Sequence, residues 1–164
     1  MNETITEKIC INCKQVLPIK NFYSSVLRRK KIYSNYSSRC KQCSAQYYKN
    51  WISTSCQRRA TVLLNTAKSH SKRKNTPFFI TVDDIINQYE IQNGKCYYSG
   101  RELSYVTNDK NIMSIDRINP ELGYTKNNIV LCCWRVNKMK AGYTTQDFME
   151  LCKDVVSFSS TKNF

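Results

Sequence analysis

Two Cys-x2-Cys pairs, CINC at Cys10–Cys13 and CKQC at Cys40–Cys43, constrain this chain more than any other feature. Four thiolates from two such knuckles close a tetrahedral zinc shell, which leaves no open position for chemistry, so the predicted site is structural. The 26 residues between the pairs, Lys14 to Arg39, suffice for a hairpin built from NFYSS and a basic loop. In a module this small, metal ligation supplies folding free energy that the core cannot. Nine cysteines would suggest disulfides in a short secreted chain, but MNETITEKIC lacks the apolar core of a signal peptide. The paired spacing therefore implies metal binding in a reducing compartment. The longest apolar run, Ile129 to Trp134, is too short to cross a bilayer. A soluble intracellular protein is expected, cytoplasmic or nucleoid-associated, and a viral or phage source is compatible with it. Cys56, Cys96, Cys132, Cys133 and Cys152 fall among apolar residues and read as small hydrophobes.

Charge is distributed unevenly. Residues 1–75 hold 16 of the 26 Lys and Arg but only two of the 12 acidic groups, Glu3 and Glu7, so the whole +14 excess lies there. Clustered Lys and Arg displace counterions from phosphates, which points to a polyanion partner, read as double-stranded DNA ahead of an anionic membrane; structured RNA stays open. The contact residues this implies are Arg28, Arg29, Lys30 and Lys31, then Arg58, Arg59, Lys68, Lys72, Arg73 and Lys74. His70, the sole histidine, lies among the last group and reads as a DNA-facing helix residue. Tyr33, Tyr36, Tyr47, Tyr48 and Trp51 suit either base stacking or core packing. Oligomeric state is not legible.

Three segments are expected: a four-cysteine module over 8–44, a basic helical linker over 45–76, and a charge-balanced domain over 77–158. In the linker, Tyr48, Ile52, Cys56, Ala60, Leu63 and Ala67 recur at helical spacing and read as one helix. TVDDIINQYEIQNG predicts a second, with a Thr81/Asp84 capping box, a Val82/Ile85/Ile86/Tyr89 face and a stop at Gly94. Phe148, Leu151, Cys152 and Val155 predict a third, capped by Thr144 and Asp147. KCYYSG and RELSYV look like a short hairpin turned at Ser99-Gly100. IMSIDRI alternates as a strand, NPELGY is a loop, NNIVLC returns, and helix continues from there to Lys140. The fold class is α+β.

SIDRI…NNIVLCCWRVNKMK resembles the HNH, or ββα-metal, endonucleases over about residues 95–140. CINCKQVLPIKNFYSS…SSRCKQC is similar to the treble-clef or ribbon-like fingers that precede nuclease domains in phage and mobile-element proteins. The resemblance implies an acidic residue at Asp116, Arg117 at the usual histidine, a loop asparagine at Asn128, a helical ligand at Asn137 and a basic residue at Lys140. A subgroup with SIDR in place of Asp-His is most similar. Gly123 and Tyr124 also fit. Where the family often carries a zinc knuckle, this chain keeps Cys96 and Cys133 but has Ser99 and Val136 opposite them, so no zinc is expected there.

The resemblance implies a metal-dependent DNA endonuclease. Mg2+ or Mn2+ would sit on oxygens of Asp116 and Asn137 beside a phosphate, and Lys140 would contact a phosphate. Asn128 would pin the loop. Arg117 cannot act as a base because it stays charged, but it can clamp a phosphate. The base is then metal-bound hydroxide, a substrate phosphate oxygen, or a side chain such as Tyr124. The alternative is a catalytically silent fold that only binds nucleic acid.

Overall fold

The first knuckle is the turn of a hairpin. In a computed structural model that describes residues 6–24 and 36–161, β1 (Glu7–Ile9) pairs antiparallel with β2 (Val16–Pro18), and CINC lies between them. A second antiparallel pair joins β3 (Phe22–Ser24) to β4 (Tyr36–Cys40) and runs directly into α1 (Lys41–Ile52). Cys40 and Cys43 therefore sit at a strand end and in a helix's first turn. This hairpin-then-helix order is of the treble-clef kind. Among the described residues its buried core is Cys10, Phe22 and Cys40, with Leu17, Tyr36 and Cys43 against it. Arg28, Arg29, Lys30, Lys31 and Tyr33 lie outside the described residues.

The chain divides into two compact units, Met1–Trp51 and Ile52–Phe164. The second does not begin with a linker. α2 (Cys56–Lys74) buries Ala60, Leu63 and Ala67 in that unit's core, so residues 45–76 are not a segment of their own. Nor are they one helix: Ser55 is extended at φ −161° and its hydroxyl accepts the Arg58 amide, which starts a new helix after the Ser53–Ser55 break. The helical spacing runs across the break in sequence only: Tyr48 is 52% exposed, whereas Ala60, Leu63 and Ala67 are buried. α3 (Val82–Ile91) has the reciprocal Thr81/Asp84 capping box, and Ile85 is fully buried against the same core.

At the centre, β5 (Met113–Arg117) pairs with β6 (Ile129–Cys133) through five antiparallel partners, from Met113↔Cys133 to Arg117↔Ile129. Both faces of this ribbon are covered, so β6 is an uninterrupted apolar run rather than an alternating one. α4 (Trp134–Lys140) starts at the next residue, completing strand–loop–strand–helix. The loop is pinned at Gly123, where φ is +71° and a Cβ would lie 2.4 Å from the Pro77 carbonyl oxygen. That approach lets Tyr124 N–H donate to Pro77 O, and Phe79 N–H donate to Tyr124 O, each at 2.8 Å.

Two expected elements differ. KCYYSG and RELSYV share a single bridge, Lys95↔Glu102, and form no strands. α5 (Thr145–Ser160) is capped by Thr144 and buries Phe148, with Cys152 partly covered, but Leu151 and Val155 are 47% and 57% exposed among the described residues. Among the described residues no helix is long and apolar enough to cross a membrane.

Candidate active site and zinc centre

The four cysteine sulfurs of the N-terminal unit, from Cys10, Cys13, Cys40 and Cys43, lie within 4.8 Å of one another. The surrounding donors suit thiolates. The Cys40 amide donates to Cys10 Sγ at 3.3 Å, the Cys43 amide to Cys40 Sγ at 3.4 Å, and Asn12 Nδ2 to Cys43 Sγ at 3.4 Å. The Cys40 amide pulls Cys10 down to about 6, against the opposing effect of burial. Cys43 is pushed up to about 11 by the Cys40 thiol beside it and by burial. Sulfurs this close can ionise together only around a cation, and an all-sulfur tetrahedral set suits zinc. Tyr47 and Tyr48 are half exposed rather than core: the Arg39 guanidinium lies 4.4 Å over the Tyr47 ring, and Tyr48 stacks on Trp51.

The second unit has a cleft of about 610 Å³, whose lining includes Asp116, Arg117, Asn137, Tyr124, His70 and Lys74. β5 brings Asp116 to it with 7% of the residue exposed. Oδ2 accepts from the Tyr98 hydroxyl at 2.6 Å and faces Lys140 Nζ at 3.1 Å, while Oδ1 has no hydrogen bond among the described residues. Asn137, on α4, donates through Nδ2 to Ser114 Oγ and to the Ile115 carbonyl, both at 2.8 Å. These bonds fix the amide's orientation, and among the described residues Asn137 Oδ1 accepts no hydrogen bond. Asp116 and Asn137 line the same cleft, and each has one side-chain oxygen of the kind a hard divalent cation takes.

Three residues have surroundings that the expected roles do not include. Lys140 is fully buried, paired with Asp116, and donates to the Arg117 carbonyl at 2.9 Å, so its ammonium is already engaged. Burial of its stem turns the ammonium inward, where the carboxylate is its counter-charge. Arg59 has a structural task besides lining the cleft: its Nε and Nη2 donate to the Met113 carbonyl at 3.1 and 2.6 Å, tying α2 to β5. Tyr124 is a poor base, because its buried ring raises the hydroxyl's pKa despite the opposing Arg117 charge.

Asn128 pins the loop: Nδ2 donates to the Asn119 and Gly123 carbonyls at 2.9 and 2.7 Å, and Oδ1 accepts from the Asn119 amide at 2.9 Å. Arg117 donates to the Pro120 carbonyl at 2.6 Å and lays its guanidinium 5.1 Å from the Tyr124 ring centroid. Lys68, Lys72, Arg73 and Lys74 are exposed on α2, while Arg58 is half-buried with Thr54 beside it. Cys133 N–H donates to Cys96 Sγ at 3.3 Å, and Val136 packs on the core.

Two site residues are not evident from sequence alone. Tyr98 orients Asp116, and its hydroxyl lies 3.0 Å from Thr145 Oγ1; nothing in CYYSG distinguishes it from Tyr97. His70 faces the cleft, with Nδ1 3.3 Å from the Tyr124 hydroxyl. Its spacing carries the signal: His70 comes seven residues after Leu63 and three after Ala67, on the helix's packed side.

No family model and no curated protein matches the chain. Among solved structures, the rare-cutting HNH restriction endonuclease PacI is similar over 92% of this chain and 93% of that one. The TM-score is 0.42 and the sequence identity 17%.

Proposed function

We propose that this protein is an HNH-type DNA endonuclease that hydrolyses a phosphodiester bond with the help of Mg2+ or Mn2+. The observation that carries the reading is that Asp116 and Asn137 line one cleft, each with an Oδ1 that makes no hydrogen bond among the described residues while its other polar atom is held. Asp116 and Asn137 would hold the cation. When bound, it supplies Lewis-acid stabilisation of charge on the phosphate. Arg117 adds fixed positive charge at the same cleft. Lys140 and Tyr98 position the Asp116 carboxylate from behind. The exposed Lys68, Lys72, Arg73 and Lys74 bind duplex backbone. Zinc in the N-terminal unit is structural, and that unit contributes further cationic surface for DNA.

The test is nicking of supercoiled plasmid with Mg2+ or Mn2+. Asp116→Ala is expected to lower the rate by at least about 100-fold, the scale on which removing one electrostatic catalytic contact acts. Equal cutting by the two proteins removes Asp116 from the mechanism. A second reading, a nucleic-acid binder without cleavage, is favoured by the commitment of the Arg117 guanidinium to Pro120 and Tyr124. It predicts salt-sensitive binding and intact plasmid with every metal.

A further inference from the structure

We propose that His70, delivered from α2, is the general base that activates the attacking water. The inference rests on the nuclease reading and assigns the one role which that reading leaves open. His70 lines the same cleft as Asp116, Asn137 and Arg117. Its ring meets Tyr124 edge-on, with centroids 6.3 Å apart and planes at 88°, and Nδ1 lies 3.3 Å from the Tyr124 hydroxyl. Tyr124 is itself held, by its backbone bonds to Pro77 and Phe79 and by the Arg117 guanidinium on its ring. One imidazole nitrogen is thereby anchored, and Nε2 has no hydrogen bond among the described residues. A histidine with one nitrogen oriented and the other uncommitted is the arrangement a base requires.

The other ionisable groups at the cleft are less suited. Arg117 and Lys74 are cations, Tyr124 is a weaker acid than a free tyrosine, and Asp116 is committed through Oδ2 to Tyr98 and Lys140. Burial lowers the His70 pKa, and the charges of Arg117, Arg73 and Lys74 lower it further, which favours the neutral imidazole that can accept a proton. In the step, Nε2 takes a proton from water as the water oxygen bonds to phosphorus. The bond from phosphorus to the leaving sugar oxygen breaks, and its electron pair departs with that oxygen. The leaving oxygen takes a proton from the imidazolium or from solvent. One water is consumed, and a phosphomonoester and a hydroxyl result.

The experiment uses the full zinc-loaded chain with Mg2+ and a supercoiled plasmid, comparing wild type, His70→Gln, His70→Ala and Asp116→Ala. Circular dichroism melts and DNA affinity establish that each variant folds and binds. Both His70 variants are expected to lose about 10²–10⁴-fold in rate, the range for a positioned acid–base group. In wild type, kcat/KM should rise with pH through a pKa below the ordinary imidazole value and then level. That limb should vanish in His70→Gln, and added imidazole should restore part of the His70→Ala rate. The charges of Arg117, Arg73 and Lys74 act on the ring and Tyr124 touches it, with Asp116 elsewhere on the same cleft, but only an imidazole at this position accounts for both effects. Cutting by His70→Gln at the wild-type rate, while Asp116→Ala is dead, overturns the His70 assignment alone. A slower His70→Ala that imidazole does not rescue, with an unchanged pH limb, also overturns it in favour of a structural role. A wild type that never cuts overturns the nuclease reading itself.

Discussion

Replacing Lys140 with methionine separates a buried charge pair from the surface pairs that contribute little. Methionine keeps the length and apolar stem but removes the ammonium. Asp116, 7% exposed, would lose the cation 3.1 Å from Oδ2 and keep only the Tyr98 hydroxyl; the Arg117 carbonyl would lose its 2.9 Å donor. Removing one partner of a buried pair costs about 3–5 kcal/mol, a large part of the roughly 5–15 kcal/mol that holds a domain folded. The internal control is Lys126, whose ammonium lies 3.0 Å from Asp84 but whose side chain is 69% exposed. Lys126→Met should cost about 0–1 kcal/mol despite the similar distance. Urea unfolding of wild type, Lys140→Met and Lys126→Met measures both. Adding Asp116→Asn to Lys140→Met should cost less than the two single changes together, by at least about 1 kcal/mol, because the double variant strands no buried charge. A Lys140→Met protein within about 1 kcal/mol of wild type would refute the reasoning, since the range for an exposed pair would then apply to a fully buried one.

The geometry sets two further outcomes. Gly123→Ala should destabilise the Ile52–Phe164 unit by more than about 2 kcal/mol in the same urea assay, because φ +71° with ψ −162° is a region only glycine tolerates, and the new methyl meets the Pro77 carbonyl. A wild-type midpoint for this variant would show that the Pro77–Tyr124 approach is not needed. Treatment with a chromogenic chelator should release a single equivalent of zinc per chain, and Cys40→Ser, which removes a buried ligand, should release less than half of that; undiminished zinc in the variant would place the ion elsewhere.

The ββα centre is legible in the sequence because its signals are local. A strand-length alternation in IMSIDRI, an apolar run in NNIVLC and a helix beginning immediately after it require no knowledge of the rest of the chain. The knuckles are legible for the same reason: ligand spacing fixes which atoms can meet. Asn128 holds the loop through the bonds that the resemblance implies, and Asn137 falls on α4 as the helical pattern requires. The features that stay hidden depend on packing. Lys140 reads as a phosphate contact when only its charge is considered, but its position on the inner face of a seven-residue helix turns it toward Asp116. His70 and Arg59 sit in a run rich in Lys and Arg, so charge density obscures the helix face on which each lies. The break at Ser53–Ser55 is masked because the helical spacing continues across it in sequence, and the hydroxyl cap at Ser55 is the local signal. α5 shows the converse: helical spacing of Phe148, Leu151 and Val155 predicts the helix correctly, but not the exposure of Leu151 and Val155 among the described residues.

Binding of Mn2+ in the absence of nucleic acid tests the central claim most directly, because it does not depend on finding the right substrate. Titration monitored by electron paramagnetic resonance of free Mn2+ counts the sites on the zinc-loaded chain. One site per chain in wild type, lost in Asp116→Ala and weakened in Asn137→Ala, is the predicted result, since each of these cleft side chains has an Oδ1 that makes no hydrogen bond among the described residues. Equal Mn2+ binding by all three proteins, or none by wild type at millimolar metal, would contradict it.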